Sequence, residues 1–104
     1  MIHIETIRRM NRPENIALTK HAKERLVERS ITISDVVRGI ETGEIIKKYE
    51  DDKPLPSCLI LGHTVNDSYI HIVVSNDEEH IYLVTAYYPD PNKWDEDFRT
   101  RKEC

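Results

Sequence analysis

Glycine is scarce in this chain: three residues in 104, at positions 39, 43 and 62. A Gly-rich phosphate loop needs several glycines close together, so none can form here, and no G-x-S-x-G nucleophile elbow occurs either. Cysteine is nearly absent. Cys58 and Cys104 are the only two, which makes no disulfide framework, so a cytoplasmic setting is expected. The five histidines, at 3, 21, 63, 71 and 80, fall into no C-x-x-C or H-E-x-x-H spacing, so neither a metal nor a cofactor is expected. No apolar run approaches the roughly 18 residues of a bilayer span. Met1 to Glu5 lacks a charged-then-apolar signal segment, and no membrane partner is expected. Net positive charge is missing too. Fifteen basic groups face 19 acidic ones, a formal charge of −4, which argues against coating nucleic acid by bulk charge.

The average hides an asymmetry. Residues 8–29 carry seven basic groups (Arg8, Arg9, Arg12, Lys20, Lys23, Arg25, Arg29) against three acidic ones. An acidic middle follows, and the sign reverses again at Arg99-Thr100-Arg101-Lys102. Two basic islands flanking an acidic stretch can be separate solvated surfaces, or they can converge on one anionic ligand if the fold brings them together.

The length suits one domain, residues 1–104, with an N-terminal helix and connector over 1–15 and the main body over 16–102. Ile4, Ile7 and Met10 make a helical stripe that Asn11 and Pro13 stop. Residues 15–18 read as a connector. Thr19 is an N-cap for a helix to about Arg29, with Ala22 and Leu26 inward. Thr32 to Asp35 resembles a capping box before a second helix, with Val36, Val37 and Ile40 inward and Gly43 as its left-handed stop. After Gly43 the period changes to 2. Strands are predicted over 45–49, 57–65, 69–75 and 81–88, joined by turn residues at 66–68 and 76–79. Trp94 and Phe98, four apart, suggest a short docking helix. The fold class is therefore α+β: two or three N-terminal helices on one face of a four-stranded antiparallel meander.

Three groups of residues can carry chemistry. His21, Arg25 and Arg29 repeat every fourth residue, which at about 100° per residue puts them on one helix stripe beside the buried edge. A proton carrier beside two forked cations is what phosphate chemistry uses. The plain alternative is that Arg25 pairs with Glu28 and His21 bonds a neighbouring strand. The second group is the strand pair 69–73 and 83–88, where His71 is polar in an apolar strand. It lies opposite Thr85 and diagonal to Tyr87 if the loop is 77–79, or opposite Val84 if the loop is 76–79. The third is the tail, where Trp94, Phe98, Arg99 and Arg101 interleave rings and cations as single-stranded nucleic-acid binders do. Against this, Trp94 and Phe98 can simply staple the tail to the core. The Ser30–Ser34 helix junction is a poor helix-turn-helix, because its second helix would expose Asp35, Arg38 and Glu41.

Residues 18–31 (LTKHAKERLVERSI) resemble the H-A-x-x-R-h-x-E-R-G-I signature of the domain of unknown function 4258 family. So, in the same order, do residues 43–49, Pro54 to Ser57, the His71 strand and residues 84–94, with Ser30 standing where the family usually has Gly. By this resemblance the chain is similar to RelE-like and BrnT-like toxins of the barnase–colicin–RelE fold. The resemblance implies a metal-independent endoribonuclease of toxin type that cleaves RNA, free or ribosome-bound, by 2′-OH transesterification. It also implies a small antitoxin-like protein partner and a monomer or homodimer. It would make His21, Arg25, His71 and Tyr87 catalytic and give Arg29, Thr85, Trp94, Arg99 and Arg101 to RNA. The rival expectation is a catalytically inactive protein-binding module of the same fold.

Overall fold

The computed structural model describes residues 2–100. The chain order is helix α1 (Ile4–Arg9), a single 3-10 turn (Pro13–Asn15), strand β1 (Ile16–Leu18), helices α2 (Lys20–Glu28) and α3 (Ile33–Thr42), then strands β2 (Glu44–Tyr49), β3 (Ser57–His63), β4 (Tyr69–Asn76) and β5 (Ile81–Tyr87). The α+β class and the antiparallel run β2 to β5 are as the periodicity predicted. The sheet nevertheless has five strands, in the order β1-β5-β4-β3-β2. The expected connector is β1, parallel to β5, with Ile16 beside Ile81 and Leu18 beside Leu83. Three residues are too few to show a period of 2. Their strand state comes from the open edge of β5, which is distant in sequence.

Both long helices start where their side chains supply missing acceptors. Thr19 Oγ1 accepts from the Ala22 amide at 3.0 Å. Thr32 and Asp35 form the full capping box, their amides donating to each other's side-chain oxygens at 3.0 and 3.1 Å. Asp35 does more than cap: its Oδ1 accepts the Val65 amide at 3.1 Å, tying the start of α3 to the β3–β4 turn. Burial pushes its carboxyl up, but the Thr32 and Val65 amides and the Thr32 hydroxyl outweigh it and hold the group below its ordinary value. Helix α2 closes in a Schellman arrangement. The Ser30 amide donates to Val27 O and the Ile31 amide to Leu26 O, with Ser30 left-handed at φ 56°.

Gly43, expected to be left-handed, has φ −93° and ends α3 in extended backbone. Its role is steric, and the same holds for the other two glycines. A Cβ on Gly62 would lie 1.9 Å from the Gly39 carbonyl oxygen, and one on Gly43 would lie 2.4 Å from it. A Cβ on Gly39 would meet Ile72 Cδ1 at 2.5 Å. Helix α3 therefore lies with its backbone against the backbone of β3, and all three glycines sit at that junction.

Paired residues on adjacent strands share a face. Ile60, Ile70, Ile72, Val74, Leu83 and Ala86 face the helices and join Leu26, Val36 and Ile40 in the core. Leu59, Leu61 and His71 are buried on the opposite face. The hairpin register is neither of those predicted. The turn takes in His80, whose carbonyl accepts the Asp77 amide, so Asn76 pairs with Ile81. A bulge at the exposed Val84 then shifts the ladder, and His71 stands directly opposite Tyr87. Asp77 accepts from Tyr82 Oη and from the amides of Glu79 and His80, which together hold its carboxyl at about 2. Among the described residues the expected tail helix is absent. From Tyr88 to Thr100 the chain runs as turns and bends, because Pro89 and Pro91 cannot supply helical amides and Asp90 and Asp97 bond nearby backbone amides instead.

Two stability outcomes follow. Gly62→Ala should cost about 3 kcal/mol or more in urea denaturation, because the methyl meets backbone rather than a movable side chain. Ser30→Gly should gain about 1 kcal/mol in the same measurement, by relieving the left-handed serine. A neutral Gly62→Ala would mean that α3 stands further from the sheet than described.

Candidate functional site

The α2 stripe is built as its spacing required, but its members serve separate ends. His21 is exposed. Arg25 Nη1 pairs with Glu28 Oε2 at 2.9 Å, the side chains 38% and 59% exposed, so the plain alternative holds for this residue. Arg29 Nη1 donates to Thr85 Oγ1 at 3.1 Å and to the Ala86 carbonyl at 2.8 Å. Strand β1 accompanies β5 only along residues 81–83. Arg29 thus occupies the stretch of β5 beyond its reach, joining helix to strand and using Thr85 as an acceptor.

His71 is fully buried. Its Nε2 lies 2.8 Å from the Phe98 carbonyl oxygen, which can only accept, so Nε2 carries the proton. Nδ1 is then the acceptor facing Tyr87 Oη at 3.4 Å. Tyr87 and Trp94 both meet the imidazole edge-on, with ring centroids at 5.3 and 4.5 Å. Burial lowers the His71 pKa, and the bond to Phe98 opposes this only in part, so the ring is neutral. The structure does bring His71, Tyr87 and Trp94 together, as a packed anchor for the tail. A ribose hydroxyl cannot reach this imidazole while Trp94 and Phe98 cover it. Of the tail cations, Arg99 forms an ion pair with Glu44, and Arg101 lies outside the described residues.

An open cleft of about 620 Å³ lies elsewhere, and neither His21 nor His71 lines it. Its walls come from α1 (Ile4, Arg8), the α3–β2 junction (Thr42, Gly43, Glu44), β3 (Leu61, His63), β4 (Tyr69) and the tail (Asp97, Arg99). Arg8 is held in place at the C-terminal end of α3. Its Nη2 donates to the Gly43 carbonyl at 2.5 Å and its Nε to the Ile40 carbonyl at 3.5 Å, where the helix dipole favours a cation. His63 and Tyr69 are cross-strand partners at the turn end of the β3–β4 hairpin, with ring centroids 4.7 Å apart. The Phe98 ring follows at 5.0 Å from Tyr69. Tyr69 stays 42% exposed, which leaves room for a planar ligand. Asp97 accepts the Arg99 and Thr100 amides, and these hold its carboxyl below the ordinary value.

The two basic islands therefore do converge, but through Arg8 and Arg99 rather than through the α2 stripe. Sequence reasoning missed Arg8, His63 and Tyr69 as site residues. A loop at 66–68 puts Val65 opposite Tyr69, whereas β3 ends at His63 and the turn takes in residues 64–68, so the pairing of His63 with Tyr69 depends on a longer turn than the expected one. Nothing local to Arg8 or Arg99 marked them as neighbours.

His71 has a consequence for pH. Its folded imidazole holds a proton less tightly than the unfolded one, so its contribution to stability is complete above about pH 6.5 and fades as pH falls towards the lowered folded value. The stability difference between wild type and His71→Gln should therefore shrink between about pH 7 and pH 5 in denaturant titrations. A difference that stays constant over that range would show that this imidazole is not held neutral by burial.

Residues 18–88 match the model of the domain of unknown function (DUF4258) family. No curated protein matches the chain, and no solved structure does. Arg8 and Arg99 of the cleft lie outside the matched span, whereas His63 and Tyr69 lie within it. The span takes in α2, α3 and all four antiparallel strands, about two-thirds of the sequence, and the chain belongs to the domain of unknown function (DUF4258) family.

Proposed function

We propose that this chain is a metal-independent endoribonuclease of the toxin type, similar to RelE-like and BrnT-like proteins, acting on free or ribosome-bound RNA at the Arg8–Arg99 cleft. One observation carries the reading: arginines from opposite ends of the chain line one open cleft together with an imidazole and an exposed phenol. Cleavage by 2′-OH attack on the adjacent phosphorus breaks the bond to O5′ and leaves a cyclic phosphate and a free 5′-hydroxyl. It needs a proton acceptor for the 2′-OH, a proton donor for the leaving oxygen and cations for the charge on the phosphorane. His63 is the acceptor, its imidazole lining the cleft beside the Tyr69 ring. The Tyr69 hydroxyl is the donor, and Arg8 and Arg99 hold the phosphate. Arg25, Arg29, His71, Tyr87, Thr85 and Trp94 then support the fold rather than the reaction.

A second reading, a non-catalytic binding module that holds a small antitoxin-like protein, is favoured by a specific feature. Arg25, Arg29 and Arg99 all have partners within the chain, and His71 is sealed. Cleavage of RNA oligonucleotides in EDTA, and of translating ribosomes in the magnesium that keeps them assembled, separates the two. The enzyme reading expects cleavage by wild type and a loss of about 100-fold or more in His63→Ala. Loss in His21→Ala with His63→Ala unaffected would return the chemistry to the α2 stripe. No cleavage of either substrate by wild type, with a small protein co-purifying, would establish the binding module instead.

A further inference from the structure

The cleft is close to electrically neutral. Arg8 and Arg99 line it together with Glu44 and Asp97. These four charges are not equally engaged. Arg8 donates to the neutral carbonyls of Gly43 and Ile40, so its charge is positioned without being cancelled. The Asp97 carboxylate is taken up by two backbone amides of its own turn. The charge that meets a charge is Glu44 on Arg99, with each side chain 50% exposed.

We propose that Glu44 is an internal stand-in for the phosphate of a nucleotide ligand, and that an entering phosphate displaces it from Arg99. This rests on the cleft being the RNA-binding site proposed above. A guanidinium presents the same forked donors to a carboxylate as to a phosphate, so the two compete for one seat. A half-exposed ion pair is weak, because water and salt screen it, so the carboxylate yields readily. A terminal monophosphate carries more charge than a carboxylate and a third oxygen, and the internal phosphodiester of RNA brings two free oxygens into a cleft that Arg8 lines as well as Arg99, where Glu44 pairs with Arg99. The backbone under Glu44 is fixed. It is the first residue of β2, paired with Leu61, and its neighbour Gly43 is packed against α3 and bonded to Arg8. Only the side chain has to swing away. Glu44 therefore sets how tightly the cleft holds an anion and keeps the empty site from attracting anions without selection.

The test is a gain of affinity, which a damaged fold would not produce. Adenosine 3′-monophosphate is titrated by calorimetry into wild type, Glu44→Gln and Arg99→Gln, with adenosine as the uncharged comparison and thermal denaturation as the check on folding. Glu44→Gln should bind the monophosphate about tenfold more tightly, with the gain shrinking as salt is added, and adenosine binding should not change. Arg99→Gln should lose most of the phosphate-dependent affinity. Equal or weaker binding by folded Glu44→Gln, with Arg99→Gln still impaired, overturns the role of Glu44 and leaves the phosphate site standing. No phosphate-dependent binding by wild type or by Glu44→Gln overturns both the stand-in and the placement of RNA in this cleft.

Discussion

The architecture depends on the contact between the backbone of α3 and the backbone of β3. Gly62 faces the carbonyl of Gly39 with no room for a methyl between them, and Gly43 ends the helix against the same carbonyl. A chain with three glycines places all of them here. The close approach sets where α3 terminates, hence where β2 starts, hence where Glu44 stands. It also presents the last carbonyls of α3 to Arg8, so the first helix is clamped through a charged group at a helix end. The cleft exists because those three consequences meet beside the turn end of the β3–β4 hairpin.

The second organising contact is a buried imidazole holding a backbone carbonyl. His71 donates to Phe98 O while Trp94 and Tyr87 pack its edges. This turns the described tail, residues 88–100, which forms no helix, into an ordered cover over the sheet face away from the helices. The same tail carries Phe98 against Tyr69 and Arg99 against Glu44. One side of the cleft is therefore positioned by a residue that does not line it. A histidine expected to exchange protons with a substrate instead keeps one proton committed to the fold.

Local signals were legible where one residue or one turn decides the outcome. The Thr19 cap, the Thr32–Asp35 box and the four antiparallel strands follow from hydroxyl acceptors, apolar periods and turn residues within a few positions of one another. The misses share a different cause. The strand state of residues 16–18 depends on a vacant edge on β5, and the position of His71 depends on a four-residue turn plus a bulge at Val84. His21 and Arg25 lie on α2 and Arg29 is its C-terminal cap. Spacing on a helix, however, says nothing about what stands across from it, and Arg29 faces Thr85 and Ala86 rather than solvent.

The deficits of the chain already determined much. Too few glycines for a phosphate loop and too few cysteines for a disulfide framework left a small α+β domain whose chemistry must come from side chains brought together by folding. Its charge pattern also marked two basic islands at opposite ends. Which members of those islands meet was decided only in three dimensions, because each cation is drawn to whichever carbonyl or carboxylate the packing presents. Arg25 and Arg29 found partners on α2 and β5, whereas Arg8 and Arg99 were delivered to one cleft by a helix end and a pinned tail.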